Sequence, residues 1–245
     1  MEGESVAVVV CAAGASRRMG GIKKEYQFIG TGEEVVTVLG AVARAFASVS
    51  SVEIIVIAVP KDGEAAAREA LPPEYLLESK PKILFVSGGS TRRASVYNAL
   101  SVLAEYNLRS ERGVSYVLIH DGARPWVSPV LIKDIITAAK KYGAVIPLLP
   151  LTDTPKECNM CWEIQQDTGS PAFITQHLKR ANTGLAQTPQ GFKFPEILRA
   201  HEKAARVEGE EFTDDAEVWG RFCGPVAVIP GDPENRKITF REDIG

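Results

Sequence analysis

The sequence predicts an α/β fold built on a doubly wound, mostly parallel sheet. Three observations carry this prediction. Apolar, β-branched runs recur through the first 150 residues, they lack polar alternation, and a segment with helical spacing follows most of them. Unbroken apolar runs suit strands buried on both faces, and strand–helix–strand repetition suits a parallel sheet covered by helices.

In chain order, the predicted strands are Val6–Cys11, Val52–Val59, Lys82–Val86, Ser115–Ile119 and Ala144–Leu149. The predicted helices between them are Glu34–Ser48, Glu64–Leu71, Thr91–Tyr106 and Pro129–Tyr142. The rhythm then breaks. Residues Thr152 to Gln187 contain Pro155, Pro171, Trp162 and two cysteines, with poor alternation. A structureless stretch of that length is unusual inside a compact domain, so it reads as an excursion from the sheet, a hairpin arm. Helices are predicted again at Glu196–Glu208 and Thr213–Phe222, and strands at Pro225–Ile229 and Arg236–Phe240. The whole chain, 1–245, reads as one domain carrying an arm at 152–187.

Composition narrows the function. Hydrophobic residues make up 45% and charged residues 24%, which excludes a disordered chain, a collagen-like fibre and a coiled-coil rod. A net charge of −3 lacks the basic excess of a general nucleic-acid binder, but leaves room for a local anion pocket. Four cysteines are too few for a disulfide scaffold. The acidic start and the short apolar run after it do not fit a signal peptide, and no segment approaches the ~20 apolar residues of a membrane span. The expected setting is the cytoplasm, with no membrane and no nucleic-acid partner.

Four constellations carry chemistry. Ala12-Ala13-Gly14-Ala15-Ser16-Arg17-Arg18-Met19 follows the first strand, and Lys23 and Lys24 come soon after. Ligands of open α/β sheets bind beyond the strands' carboxyl ends, where small residues let backbone N–H groups cradle an anion. Arginines suit bidentate phosphate contacts. This is neither a P-loop nor the three-glycine dinucleotide fingerprint. Gly88-Gly89-Ser90-Thr91-Arg92-Arg93-Ala94-Ser95 ends the third strand, with Ser90 or Thr91 able to cap the next helix. Its N-terminus is a second anion site or an ordinary cap. His120-Asp121-Gly122-Ala123-Arg124 ends the fourth. Asp121 is placed to hold a divalent cation beside a triphosphate, or to pair with Arg124. His120 reads as a catalytic base or a strand-end histidine satisfied by hydrogen bonds. The late set is Thr152-Asp153-Thr154-Pro155-Lys156, Arg180, Gln187-Thr188-Pro189-Gln190, Thr213-Asp214-Asp215 and Asn235-Arg236-Lys237, hydroxyls and cations of the kind a sugar phosphate needs. Cys158 and Cys161 form too small a set for structural zinc, and Cys11 and Cys223 read as buried.

Taken together, these motifs resemble the 2-C-methyl-D-erythritol 4-phosphate cytidylyltransferase family nearly end to end. The resemblance rests on AAGASRRM, KKEY, GGSTRRASV, IHDGARP, TDTPKE, QTPQGF, FTDDAEV and NRKIT, in the family's order. It implies a Rossmann-like domain with a protruding β-arm used in a homodimer. It also implies CTP and a sugar-alcohol phosphate as substrates, with Mg2+ as cofactor. By resemblance, Arg18, Lys24 and Lys237 are the catalytic cations. Ala12, Ala13, Gly14, Gly89, Ser90, Ser95 and Asp121 lie at the nucleotide, Asp121 also being the candidate Mg2+ ligand. Arg124, Thr154, Arg180 and Thr188 lie at the sugar phosphate or its arm. The family commonly has Pro-Lys-Gln-Tyr where this chain has Lys23-Lys24-Glu25-Tyr26. Relatives often carry an acid where Ser90 stands, and the stretch from Thr154 to Arg180 is longer than usual. Ribitol 5-phosphate is the alternative acceptor; a different sugar-phosphate nucleotidylyltransferase, a reductase and a non-catalytic nucleotide binder are more distant alternatives.

Overall fold

The computed structural model describes residues 5–30, 35–76, 81–110, 113–159, 171–207, 209 and 211–244. The strands are β1 Ser5–Cys11, β2 Phe28–Ile29, β3 Val36–Thr37, β4 Val52–Val59, β5 Lys82–Ser87, β6 Val114–Asp121, β7 Ala144–Pro150, β8 Lys156–Cys158, β9 Ile174–His177, β10 Gly184–Ala186, β11 Gln190–Lys193 and β12 Ala227–Pro230. The helices are α1 Val38–Ala47, α2 Glu64–Glu69, α3 Arg92–Arg109, α4 Pro129–Tyr142, α5 Phe194–Ala204 and α6 Asp215–Phe222.

Eight strands form the main sheet, with β6, β1, β4 and β5 adjacent and parallel. β11 runs antiparallel between β6 and β7, and β10 continues along the same side of β7. β12 pairs with the other side of β7. The sheet is buried on both faces. Val6, Val8 and Val10 of β1 pack toward α1 and α4, while Ala7 and Val9 pack toward α3 and α5. Burying each such valine contributes roughly 1.5–3 kcal/mol, which is why the run carries no polar alternation. The excursion contains an antiparallel hairpin, β8 with β9, outside the main sheet, and β10 then rejoins that sheet.

Several boundaries differ from the sequence reading. The helix expected from Glu34 begins at Val38, because Val36–Thr37 pairs with Phe28–Ile29 and the Thr37 hydroxyl caps the Gly40 N–H; Glu34 itself lies outside the described residues. Arg236–Phe240 is not a strand. Among the described residues it pairs with no strand; the Ile238 N–H donates to the Ala123 carbonyl, and the Ile238 side chain fills a small core with Ile29 and Val38. Cys223 is exposed rather than buried, since it follows the last turn of α6. The predicted Ser115–Ile119 strand runs on to Asp121, so the His-Asp pair stands on the strand itself. Among the described residues no helix is long and apolar enough to cross a membrane.

Candidate active site

The carboxyl ends of β1, β4, β5 and β6 place three loops side by side. Gly88 lets two of them touch, and Gly89 lets the second fold onto the start of α3. A Cβ on Gly88 would overlap that of Ala13, and one on Gly89 would overlap that of Ala94. Ser95 fastens the junction: its hydroxyl accepts from the Gly89 N–H at 3.0 Å and donates to the Thr91 carbonyl at 2.9 Å. Thr91, not Ser90, caps α3, through the Ala94 N–H. Ser90 is exposed at the rim. On the other side of the first loop, Gly14 has open space, with nothing within 4 Å of a Cβ built on it.

At the end of β6, Asp121 sits among three cations. The Lys237 ammonium donates to its Oδ2 at 2.8 Å, Arg124 Nε lies 3.6 Å from the same oxygen, and Arg92 Nε lies 3.6 Å from Oδ1. Burial pushes the Asp121 carboxyl up, but Lys237 and the two guanidiniums outweigh it and hold it well below the usual carboxylate range. Lys24, half-buried, donates to the Ile238 carbonyl at 3.0 Å. Burial lowers its affinity for a proton, Glu25 opposes this, and repulsion from Lys237 and Arg18 adds to it. Arg18 is exposed beside them, at the edge of a groove lined also by Met19, Phe240 and Arg241. Of the candidate cations, Lys237 contacts Asp121, Lys24 lies within electrostatic reach of both, and Arg18 lies within electrostatic reach of Lys24.

A buried hydrogen-bond chain fixes this end of β6. Only acceptors are available at the Arg124 carbonyl, so His120 carries its proton on Nε2 and donates there at 3.1 Å. Its Nδ1 then accepts from the Thr188 hydroxyl at 3.1 Å, and that hydroxyl accepts the Asp121 N–H at 3.0 Å. Burial lowers the His120 pKa to about 4, and its ring packs edge-on against Phe46. With both nitrogens engaged, His120 has the geometry of the structural alternative rather than the catalytic base. Thr188 is buried and aims its hydroxyl at the strand end rather than into open space.

The late motifs position Lys237 from below. Arg124 Nη1 and Gln187 Nε2 both donate to the Asn235 carbonyl, at 2.8 and 3.2 Å. Gln187 also clasps Asp232 through its carbonyl and N–H, and Asn235 Nδ2 donates to the Thr188 carbonyl at 2.7 Å. Arg124 is thus turned inward, bracing the 232–238 segment.

Thr154 and Arg180 stand apart. Both are exposed beside the β8–β9 hairpin, and Arg180 donates to the Thr152 carbonyl at 2.7 Å. No contact among the described residues ties either to the Asp121 cluster. Cys158 is a partly buried free thiol, and Cys161 lies outside the described residues. Among the described residues no three His, Cys, Asp or Glu side chains could together hold a metal.

Sequence reasoning missed Arg92 and the second part of the Thr213-Asp214-Asp215 motif. Asp214 is the helix cap, accepting from the Glu217 N–H at 2.8 Å. Asp215 is fully buried between Arg92 Nη1 at 2.8 Å and His201 Nε2 at 3.2 Å. Arg92 consequently links two carboxylates, Asp121 and Asp215. The doubled aspartate at a helix start was the available signal, since a cap needs only one.

A sheet whose strand ends carry small-residue loops, cations and the Asp121 carboxylate beside open space is the arrangement a nucleotidyltransferase needs. The comparisons agree. The family model described as 2-C-methyl-D-erythritol 4-phosphate cytidylyltransferase (IspD) matches residues 6–245. A Bacillus mycoides protein of that name is 34% identical over 237 residues, covering 97% of this chain and 93% of its own length. The bifunctional enzyme IspD/IspF of Bartonella tribocorum is 34% identical over 98% of this chain, which spans only 54% of that relative. The chain thus spans about half the length of its bifunctional relatives. The crystal structure of 4-diphosphocytidyl-2C-methyl-D-erythritol synthase from Anaerococcus prevotii superposes with a TM-score of 0.76 at 27% identity, covering 99% of this chain and 94% of that one. The Thermus thermophilus cytidylyltransferase structure gives 0.67 at 29% identity, covering 98% and 95%. The chain belongs to the 2-C-methyl-D-erythritol 4-phosphate cytidylyltransferase family.

Proposed function

We propose that this chain transfers the CMP group of CTP to the phosphate of 2-C-methyl-D-erythritol 4-phosphate, releasing pyrophosphate. The observation that carries this reading is the run of cations from Lys237, paired with Asp121, through Lys24 to Arg18, in a chain whose first loop is open at Gly14. A phosphate oxygen of the acceptor attacks the α-phosphorus of CTP, and pyrophosphate leaves in line. The nucleophile is already an anion and needs no general base, in keeping with the engaged nitrogens of His120. The work is to bring two anions together and to stabilise the charge that develops. Arg18 and Lys24 serve the triphosphate, and Lys237 the α-phosphate. Ala12, Ala13, Gly14, Gly89 and Ser95 shape the nucleotide loop, with Ser90 at its rim.

Mg2+ fits the donor set. It takes one or two carboxylates and completes its shell with phosphate oxygens, and Asp121 is a carboxylate held ionised by its neighbours. Asp121 would hold it, directly or through water. The ion, when bound, supplies charge neutralisation across phosphate oxygens.

Thr154 and Arg180 hold the sugar phosphate from the arm of a partner subunit in a homodimer. Their exposure supports this, as does the hairpin's apolar surface at Phe173 and Ile174. The cytoplasm is the setting this reading assigns.

The test is pyrophosphate release with Mg2+ and each of CTP, ATP, GTP and UTP. Methylerythritol 4-phosphate and ribitol 5-phosphate are offered in parallel, and chelator in a further arm. Release confined to CTP with methylerythritol phosphate is expected. A preference for ribitol phosphate would move the acceptor, and release with no pair would overturn the reading.

A further inference from the structure

The two adjacent lysines, Lys23 and Lys24, do different work. Lys24 points across the site to the Ile238 carbonyl. Lys23 points back into the first loop. Its ammonium donates to the Ala12 carbonyl at 2.8 Å and the Gly14 carbonyl at 2.6 Å. Its charge faces the Glu25 carboxylate at 3.5 Å, and it lies 5.7 Å from the centre of the Tyr26 ring. Glu25 is a buried carboxylate whose Oε2 makes no hydrogen bond among the described residues. An ammonium has three donors. Two of those on Lys23 are committed to the loop and its charge faces Glu25, so engaging a phosphate would pull it off both.

The consequence falls on loop geometry. Successive peptide groups that turn their carbonyls to one side leave N–H groups for the other, which is how a backbone nest binds an anion. Two carbonyls of the first loop are drawn to Lys23. The N–H groups of Ala13, Gly14, Ala15 and Ser16 have no acceptor among the described residues, and Ser16 adopts a left-handed conformation with φ of 49°. Gly14 borders open space.

We infer that Lys23 is a positioning residue, a strap across the back of the nucleotide loop that presents its N–H groups to the triphosphate. This rests on the cytidylyltransferase reading above. Lys23 contributes shape rather than transition-state charge, and so differs in kind from Lys24. Glu25 holds the strap in place; it does not explain it.

Two variants separate these roles. Lys23→Met removes the strap and strands Glu25. Lys23→Met with Glu25→Gln removes the strap without leaving a buried carboxylate unpaired. Both should raise the KM for CTP about tenfold or more, the equivalent of one hydrogen bond to a charged group, with kcat changed less than about threefold. Both should also speed hydrogen exchange at the Met19 and Gly21 amides, which bond to the Ser16 carbonyl at the end of the loop. Recovery of normal KM and exchange in the double variant would overturn the inference, leaving Lys23 only as a counter-charge to Glu25. A fall in kcat of more than a hundredfold at unchanged KM would overturn it too, making Lys23 a catalytic cation. If the unaltered chain binds no CTP, the functional reading fails instead, and loop exchange alone then decides whether Lys23 is a strap.

Discussion

Acidification should weaken the fold through His120. The imidazole donates from Nε2 to the Arg124 carbonyl and accepts at Nδ1 from Thr188, so a second proton has no acceptor without breaking the bond to Thr188. Burial lowers its pKa to about 4 in the folded chain, against about 6.5 in the unfolded one. The native state therefore binds fewer protons, and stability rises with pH across this window. The contribution is complete above about pH 6.5 and is lost as pH falls toward 4. One proton gives a slope of about 1.4 kcal/mol per pH unit, so the loss between pH 7.5 and 4.5 is on the order of 2–3 kcal/mol. Urea unfolding followed by tryptophan fluorescence at several pH values measures it, with His120→Gln as the reference. Asp121 and Asp215, both held below the ordinary carboxylate range, lose their contribution only below about pH 4, and do so in both proteins. The wild-type curve should bend down through the window while the variant's stays flatter. Parallel curves would refute the reasoning.

Other perturbations reach different parts of the site. Lys24→Ala should cut turnover by roughly a hundred- to a thousandfold, as losing one preorganised charge contact costs about 3–4 kcal/mol; near-normal turnover in the pyrophosphate assay would remove Lys24 from the chemistry. Asp215→Ala strands Arg92 and His201 and should lower stability by about 2–3 kcal/mol, less than for a fully buried pair because Arg92 is partly exposed. Urea midpoints would show it, and an unchanged midpoint would mean that the pair is dispensable. Gly88→Ala pushes the first two loops apart and should cost about 1–3 kcal/mol together with CTP affinity; calorimetry that finds binding intact would show the loops to be independent.

The sheet was legible because burial on both faces leaves a compositional mark: runs such as Val6–Cys11 and Val52–Val59 have no polar side to show. Val35-Val36-Thr37-Val38 is where that reading slipped. Helical spacing continues through it, but β-branched side chains favour an extended backbone, and the pairing with Phe28–Ile29 decided the matter. Arg236–Phe240 looked like a strand because Ile238 is apolar, yet its burial serves a three-residue core and not a ladder. In the site, the loop glycines, Lys24 and Asp121 could be read locally from their motifs. The division of labour between Lys23 and Lys24 could not, since it depends on carbonyls eleven and nine residues back on one side and far along the chain on the other. The bridge from Asp121 through Arg92 to Asp215 was equally hidden, because no local pattern announces which arginine of a surface-looking pair turns inward.

The antiparallel strand lodged between β6 and β7 sets a timetable for synthesis. β6 pairs residues 116–119 with residues 190–193, some 70 positions later. At translation rates of about 5–20 residues per second, β6 waits roughly 4–14 seconds with one flank of backbone donors and acceptors bare. For that interval it is an adhesive edge, and β7, made soon after, waits with both flanks bare. Lys237 arrives 44 residues after Lys193, later still. Asp121 therefore gains its closest cation only after the sheet has sealed, so a half-made chain carries the first loop, Arg92, Arg124 and Asp121 without the Lys237 contact.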